Sequence, residues 1–450
     1  MNYCKRCLYP ENHPLNITFD KEGICSGCRM HEEKDILNWS ERGKKLKEIL
    51  GQYRDKNGKN YDCIIPVSGA RDSYFIVHTI KNVYKMHPLL VTYNKHYNTS
   101  IGIRNLAYLK TLFGCDLFTL TVSPATVKKI TRYTIKKMSS IYWHCIAGQT
   151  VFPVQIAVRF KIPLIIWGSH QGSDQVGMFY HLDEVEMTRR YRKDHDLMGF
   201  EAEDLIGSDI SESDITPYKY PHDKEIEKVG VRGIYLLNYI RWDSKKQHES
   251  MIKLYDYETS LQRRTFDTYS NVDCFNYSDL HDCIKFLKWG YGKVTDHACR
   301  EIRLKRLTRE EGISLVKKYQ FLEPEKKNVD MFLDWLGMPS EKFWNYINQK
   351  RDQRVWKKNK KQEWELIDSV LNHIEDQGVD FCRLETPIVK SKDFTTGQEK
   401  ESFSKAQDKN CQFIINKKEA VEKEDKYVLI GRGWLDNKTN PLPNRVCDEN

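Results

Sequence analysis

Several absences narrow this chain before anything present is read. No apolar run in its 450 residues approaches the roughly 18 that a membrane span needs, and the opening MNYCKRCLYPENHP lacks the apolar core of a secretory signal. A cytoplasmic protein with no membrane partner is therefore expected. There is no internal repeat and no long low-complexity tract, which excludes solenoid and fibrous architectures. A disulfide framework is missing too: the 13 cysteines are odd in number and scattered, so most read as plain thiols of a reducing compartment.

The length fits two or three domains with a substantial core. Lysine and arginine total 72 against 63 acidic residues, a net charge of +9, which suits RNA but equally a nucleotide or an acidic sugar. The run KKNKKQ at 357–362 reads as a solvated linker face.

Short apolar, β-branched runs predict strands at 61–67, 88–93, 116–122 and 162–168, with helices between them at 72–85, 100–113, 124–138 and 147–160. That alternation predicts an α/β fold with a mostly parallel sheet covered on both faces. Beyond about residue 183 the pattern turns helical, clearest in DEVEMTRRYRKDHDLMGF, HDCIKFLKWG, REEGISLVKKY and VDMFLDWLGM. Residues 390–426 read as a mobile polar segment, and KYVLIGRGW as a strand of a small C-terminal unit. The expected division is 1–35, 36–210, 211–365 and 366–450.

Two constellations carry chemistry. The first is CKRC followed by CSGC, which places Cys4, Cys7, Cys25 and Cys28 as two knuckles able to meet at one tetrahedral Zn2+. His13 lies between them as an alternative ligand, but four cysteines already close the site. A closed site is structural, expected to hold the N-terminus folded without touching the reaction.

The second is IIPVSGARDSYF. A strand running into Ser68, Gly69 and Ala70, with a helix starting near Arg71, gathers backbone N–H groups and a helix-dipole end into an anion site. Ser68 and Ser73 add hydroxyls and Arg71 a full charge. Asp72 is out of place beside phosphate unless it caps backbone N–H groups or acts through a shared Mg2+. At the carboxyl ends of other strands, Thr92, Tyr93 and Asn94 are expected to meet adenosine, and Gly168 to open the same edge with Ser169 and His170. Two segments stay open. In WHCIAG, His144 and Cys145 form either a nucleophile pair or a packed thiol beside a histidine. In GKVTDHACREIR, Lys293, Asp296, His297, Arg300 and Arg303 fit either substrate-anion binding or helix-surface salt bridges.

The loop S-G-A-R-D-S resembles the S-G-G-x-D-S motif of the PP-loop ATP pyrophosphatases and lacks the G-K-[ST] ending of a Walker loop. Over residues 1 to about 365 the chain is similar to one branch of them, the N-acetyl sugar amidotransferases of bacterial surface-glycan and flagellin biosynthesis. The segments that carry the likeness include CKRCLYPENHP, GICSGCR, LLVTYNKHYNTSIGIRNL, IPLIIWGSHQG, VGVRGIYLLNYIRWDSKKQHE and QRRTFDTYSNVDCFNYSDLHDCIKFLKWGYGKVTDHACREIR. Two positions depart from the family pattern: Ala70 replaces a glycine, which would strain the backbone if φ there were positive, and Ser169 replaces an acidic residue.

The resemblance implies the PP-loop fold, with ATP and Mg2+ as cofactors beside Zn2+. It implies transfer of AMP to the oxygen of an N-acetyl group on a nucleotide-activated acidic sugar, then displacement of AMP by ammonia to give an acetamidino group. Asp72, Ser73 and Arg71 would act on the pyrophosphate with Ser68, Gly69 and Ala70, while His170, Lys293, His297 and Arg300 would meet the sugar. No glutaminase segment is evident in the chain, and the resemblance implies a separate glutaminase subunit as the ammonia source. Two alternatives stand beside this reading: a tRNA-thiolating PP-loop enzyme, which wants a cysteine near ATP, and a non-catalytic homologue with a decayed ATP site.

Overall fold

The computed structural model describes residues 1–374 and 413–416. Its centre is a five-stranded parallel sheet of β1 (Cys63–Pro66), β2 (Pro88–Tyr93), β3 (Leu117–Leu120), β4 (Leu164–Trp167) and β5 (Arg232–Tyr235), in the spatial order β3-β2-β1-β4-β5. The strand period of two sorts the side chains. Ile64, Leu89, Val91 and Ile165 pack on one face with Phe152, Ile156 and Ala157, while Cys63, Ile65, Leu90, Leu164 and Ile166 join a larger core on the other. Both faces are thus covered, as buried parallel strands require.

The expected helices form with shifted bounds at Arg71–Val77, Ser100–Phe113, Pro124–Met138 and Trp143–Phe160. Local chemistry fixes their ends. Thr99 caps the second through Gly102 N–H, and Gly114 closes it in the left-handed conformation. The first continues without a break as a π-helical stretch, His78–Val83. Trp143–Phe160 begins four residues before the expected start, so His144 and Cys145 lie on a helix and not in an extended segment.

Three expectations need correction. The α/β domain does not end at 210, because β5 completes the sheet from within the stretch assigned to the helical region. DEVEMTRRYRKDHDLMGF is not one helix but a chain of short turns, His181–Asp183, Arg189–Tyr191 and the π turn Arg192–Asp196. Fully buried Arg192 decides this: its guanidinium bonds Glu201, Thr150 Oγ1 and the carbonyl of Ala147, which ties the segment to the sheet domain. Nor is residues 1–35 a separate knuckle. Tyr3, Leu8, Tyr9 and Leu15 belong to the same core as Val294, Ala298 and Ile302.

The remainder is helical, including Leu280–Trp289, Lys293–Arg303, Arg309–Tyr319 and Lys326–Leu336, followed by a small hairpin, Trp356–Lys358 with Trp364–Leu366. KYVLIGRGW lies outside the described residues, as does most of 390–426. Phe413, Ile414 and Asn416 of that stretch are buried: Phe413 packs on Phe266 and Tyr269, and Asn416 exchanges hydrogen bonds with Thr259. No described helix is long and apolar enough to cross a membrane.

Candidate functional site

In this strand order β1 has β2 on one side and β4 on the other, so the winding direction reverses between β1 and β4, and a crevice is expected at their carboxyl ends. A cavity of about 390 Å³ opens there. Its floor is Pro66, Val67, Ser68, Ala70, Asp72 and Ser73 from the turn after β1, with Thr92 and Tyr93 from β2 and Trp167 to His170 after β4. The lining also includes Ser270, Asn271, Tyr277, Lys293, Asp296, His297, Arg300 and Arg303, with Asp174, Gln175 and Tyr9.

The turn after β1 is braced by its own side chains. Ser68 N–H donates to Ser73 Oγ at 3.0 Å, and Ala70 N–H donates to Ser68 Oγ at 3.3 Å. Each hydroxyl accepts from the backbone and keeps its own O–H as a donor toward the cavity. Gly69, expected at the pyrophosphate, is not in the cavity wall. Its φ is +74°, and a Cβ there would stand 2.5 Å from the Gly102 carbonyl oxygen, so glycine at this position admits the neighbouring helix. Ala70 is extended, with φ −89°, and carries no strain. The Arg71 backbone opens the helix. The Asp72 carboxylate lies 3.6 Å from Nε2 of the buried His248.

Asn94 is likewise outside the cavity: its Oδ1 accepts from His96 N–H and Asn98 Nδ2, bracing the turn after β2. Tyr93 belongs to a directed chain. Tyr97 Oη donates to the Ile141 carbonyl, so it accepts from His144 Nε2–H at 3.0 Å, and Nδ1 is left to accept from Tyr93 O–H, also at 3.0 Å. Burial holds His144 down at about 3, hence neutral, and pushes the Cys145 thiol well above its ordinary value. This is the packed thiol beside a histidine, not a nucleophile pair; no cysteine lines the cavity among the described residues.

His170 reaches the wall as a neutral group. Burial lowers it to about 3; Nδ1 accepts from Tyr191 O–H and Ser173 N–H, and Nε2 meets Ser173 Oγ. Its two ring nitrogens are committed within the fold, so it shapes the cavity and supplies no charge. Across the cavity, Lys293 Nζ donates to Asn271 Oδ1 at 2.9 Å and lies 3.3 Å from the Tyr277 ring centre. His297 Nδ1 meets Thr265 Oγ1 at 2.7 Å. Burial disfavours charge on Arg300, but its bonds to Asp267 and Glu301, each at 2.7 Å, outweigh that and leave it firmly cationic. Both open readings of this helix therefore meet in it: Lys293 and Arg300 line the cavity, and Arg300 is also held by ion pairs.

Cys4, Cys7, Cys25 and Cys28 are fully buried, with their sulfurs all within 4.8 Å of one another. Tetrahedral zinc with Zn–S bonds of about 2.3 Å wants sulfurs about 3.8 Å apart; Cys7–Cys25 is 3.6 Å and Cys4–Cys28 is 3.9 Å. The N–H groups of Arg6, Cys7 and Cys25 all point at Cys4 Sγ. The donors fit zinc. His13 is not among them: its Nδ1 accepts from Leu15 N–H. Two residues of the cavity wall adjoin this centre: the Tyr9 carbonyl accepts from Cys4 N–H, and Arg303 donates to Cys25 Sγ.

Sequence reading missed Tyr9, Gln149, Trp167, Asp174, Gln175, Ser270, Asn271 and Tyr277. The motif W-G-S-H-Q-G-S-D held a usable signal for Asp174, an acidic residue a short turn beyond β4. Nothing local marks Tyr9 or Asn271.

Residues 263–371 match the family described as LPS biosynthesis protein WbpG-like, C-terminal domain. Over 117 residues the chain is 27% identical to a protein described as uncharacterized, MJ1599 of Methanocaldococcus jannaschii; the match covers 26% of this chain and 42% of that relative, less than half its length. The helix that brings Lys293, His297 and Arg300 to the cavity thus lies inside the stretch similar to a lipopolysaccharide-biosynthesis domain.

Proposed function

We propose that this chain is an ATP-dependent amidotransferase of surface-glycan biosynthesis, converting the N-acetyl group of a nucleotide-activated acidic sugar to an acetamidino group. One observation carries the reading: residues of the S-G-A-R-D-S turn and of the helix in the WbpG-like stretch line a single cavity at the switch point of the sheet. One side suits pyrophosphate and the other an anionic sugar.

An acetamide is a poor electrophile with a poor leaving oxygen. Attack of that oxygen on the α-phosphorus of ATP forms a C–O–P linkage and expels pyrophosphate. Ammonia then adds to the same carbon, and AMP departs with the former acetamide oxygen. In this reading Ser68, Ser73 and the start of the helix at Arg71 hold the pyrophosphate, and Asp72 is the carboxylate that would hold Mg2+, which supplies charge neutralisation for the phosphates. Thr92, Tyr93 and Gly168 border the nucleotide. Lys293, His297 and Arg300 orient the sugar. Ammonia comes from a separate glutaminase subunit. The thiolation alternative wants a cysteine at the cavity, which the described wall lacks. The decayed-site alternative loses its backbone argument, since Ala70 is unstrained.

The test is pyrophosphate release from Mg-ATP and ammonium across a panel of nucleotide-activated N-acetyl sugars, with mass spectrometry of the product. Exchange of O for NH on one sugar is expected; no ATP binding and no turnover on any sugar refutes the reading.

A further inference from the structure

Arg303 closes the helix Lys293–Arg303 and is 3% exposed. Its guanidinium faces two ways. Nη2 donates to Cys25 Sγ at 3.3 Å and Cys7 Sγ at 3.8 Å. Nη1 donates to the backbone carbonyls of Gln175, at 2.6 Å, and Asp174, at 3.3 Å, in the segment after β4 that lines the cavity. A planar fork with five N–H donors can serve two sulfurs and two carbonyls together; a lysine ammonium cannot. Four thiolates around Zn2+ carry a net double negative charge, for which a buried cation at this distance is a fitting partner.

A second connection runs in parallel. The helix Ser26–Ile36, which contains Cys28, carries Lys34, 1% exposed, whose Nζ donates to Asp174 Oδ1 at 2.8 Å. The same helix approaches so closely that a Cβ on Gly27 would stand 2.5 Å from the Gln175 carbonyl oxygen. The cysteine centre and the segment 171–177 are one packed unit.

We infer that Arg303 is a positioning residue through which metal at the four cysteines sets the order of the cavity wall at residues 171–177. The centre thereby acts on the site and not only on the N-terminal fold. With the metal gone the sulfurs are no longer fixed, and Arg303 loses the acceptors that hold its fork in register with Asp174 and Gln175. This inference does not depend on the ATP reading, and its test needs no nucleotide.

Hydrogen exchange on the full chain reads it directly. The amides of Asp174, Gln175, Val176 and Gly177 are bonded within their own segment, so their exchange reports its opening. Zinc is counted by elemental analysis, then stripped with a chelator under reducing conditions, and peptides over 171–177 are compared with peptides over β2. Stripping is expected to speed exchange at 171–177 by about tenfold or more with β2 unchanged. Arg303→Met and Arg303→Lys, each still holding zinc, should give the same local loss. The inference is overturned if the chain holds no zinc, if 171–177 is indifferent to its removal, or if β2 opens with it. Should Arg303→Met fail to fold, Arg303→Lys decides: parental protection at 171–177 in that variant also sinks it.

Discussion

Asp72 is the side chain on which the proposed chemistry turns most sharply, since it is the carboxylate contributed to the cavity by the turn after β1. Asp72→Ala is expected to lower pyrophosphate release by about 100-fold, the scale of losing one electrostatic contact to a charged transition state, with the urea midpoint near the parent's; equal rates would remove Asp72 from the chemistry. Asp196 makes a different prediction. Burial raises it from 3.8 to about 7, against the charge of Arg192, and its Oδ2 is sealed from solvent without a hydrogen-bond partner. The native state therefore keeps a proton that the unfolded chain has released, so stability should fall as pH rises from about 4 to 7 and level off above. Asp196→Asn should flatten that slope and be more stable than the parent at pH 8 by on the order of 2 kcal/mol. Denaturant melts at pH 5 and pH 8 distinguish the two chains. His170, held near 3, should contribute nothing to ligand binding between pH 5 and 8, and its NMR titration should be flat over that range.

Among the elements, the turn after β1 depends on Gly69, where both a positive φ and the nearby Gly102 carbonyl exclude a side chain. Gly69→Val should cost about 2–4 kcal/mol of stability in urea unfolding, and an unchanged midpoint would mean the contact between this turn and the helix Ser100–Phe113 is slack. Sequence reading located this turn because its chemistry is local: strand, small residues and helix start follow one another. It located β2 to the residue for the same reason, through the continuous buried run Pro88–Tyr93. It missed β5, where Arg232 and Gly233 take up half of a four-residue strand and the apolar signal is too short to register. It read 183–200 as one helix because Met187, Tyr191 and Met198 are spaced for one, whereas the buried Arg192 and its partners in the sheet domain dictate short turns instead. Of the cavity, the parts near a strand end were legible, and Gly69 and Asn94 were placed one side chain too far inward. Tyr9 and Asn271 were invisible because only the folded chain brings positions so distant in sequence together.

Taken whole, the molecule joins its parts by buried polar contacts more than by separable domains. Residues 413–416 show this: Thr259 and Thr268 hydroxyls both donate to the Ile414 carbonyl, and Tyr269 O–H accepts from Ile414 N–H. Phe413→Ala with Asn416→Ala should lower stability by about 2–4 kcal/mol from lost packing and orphaned polar groups, read as a lower thermal midpoint. No change would mean the body of the protein closes over that groove unaided. The contact between the N-terminal cysteines and Arg303 also has a consequence in time. Synthesis proceeds from the N-terminus at roughly 5–20 residues per second, so the four sulfurs leave the ribosome on the order of 15–60 s before the arginine that braces them. During that interval the knuckle is a nascent peptide with exposed thiols and no neighbouring wall, and a zinc ion captured then becomes the template on which the later helix is laid down.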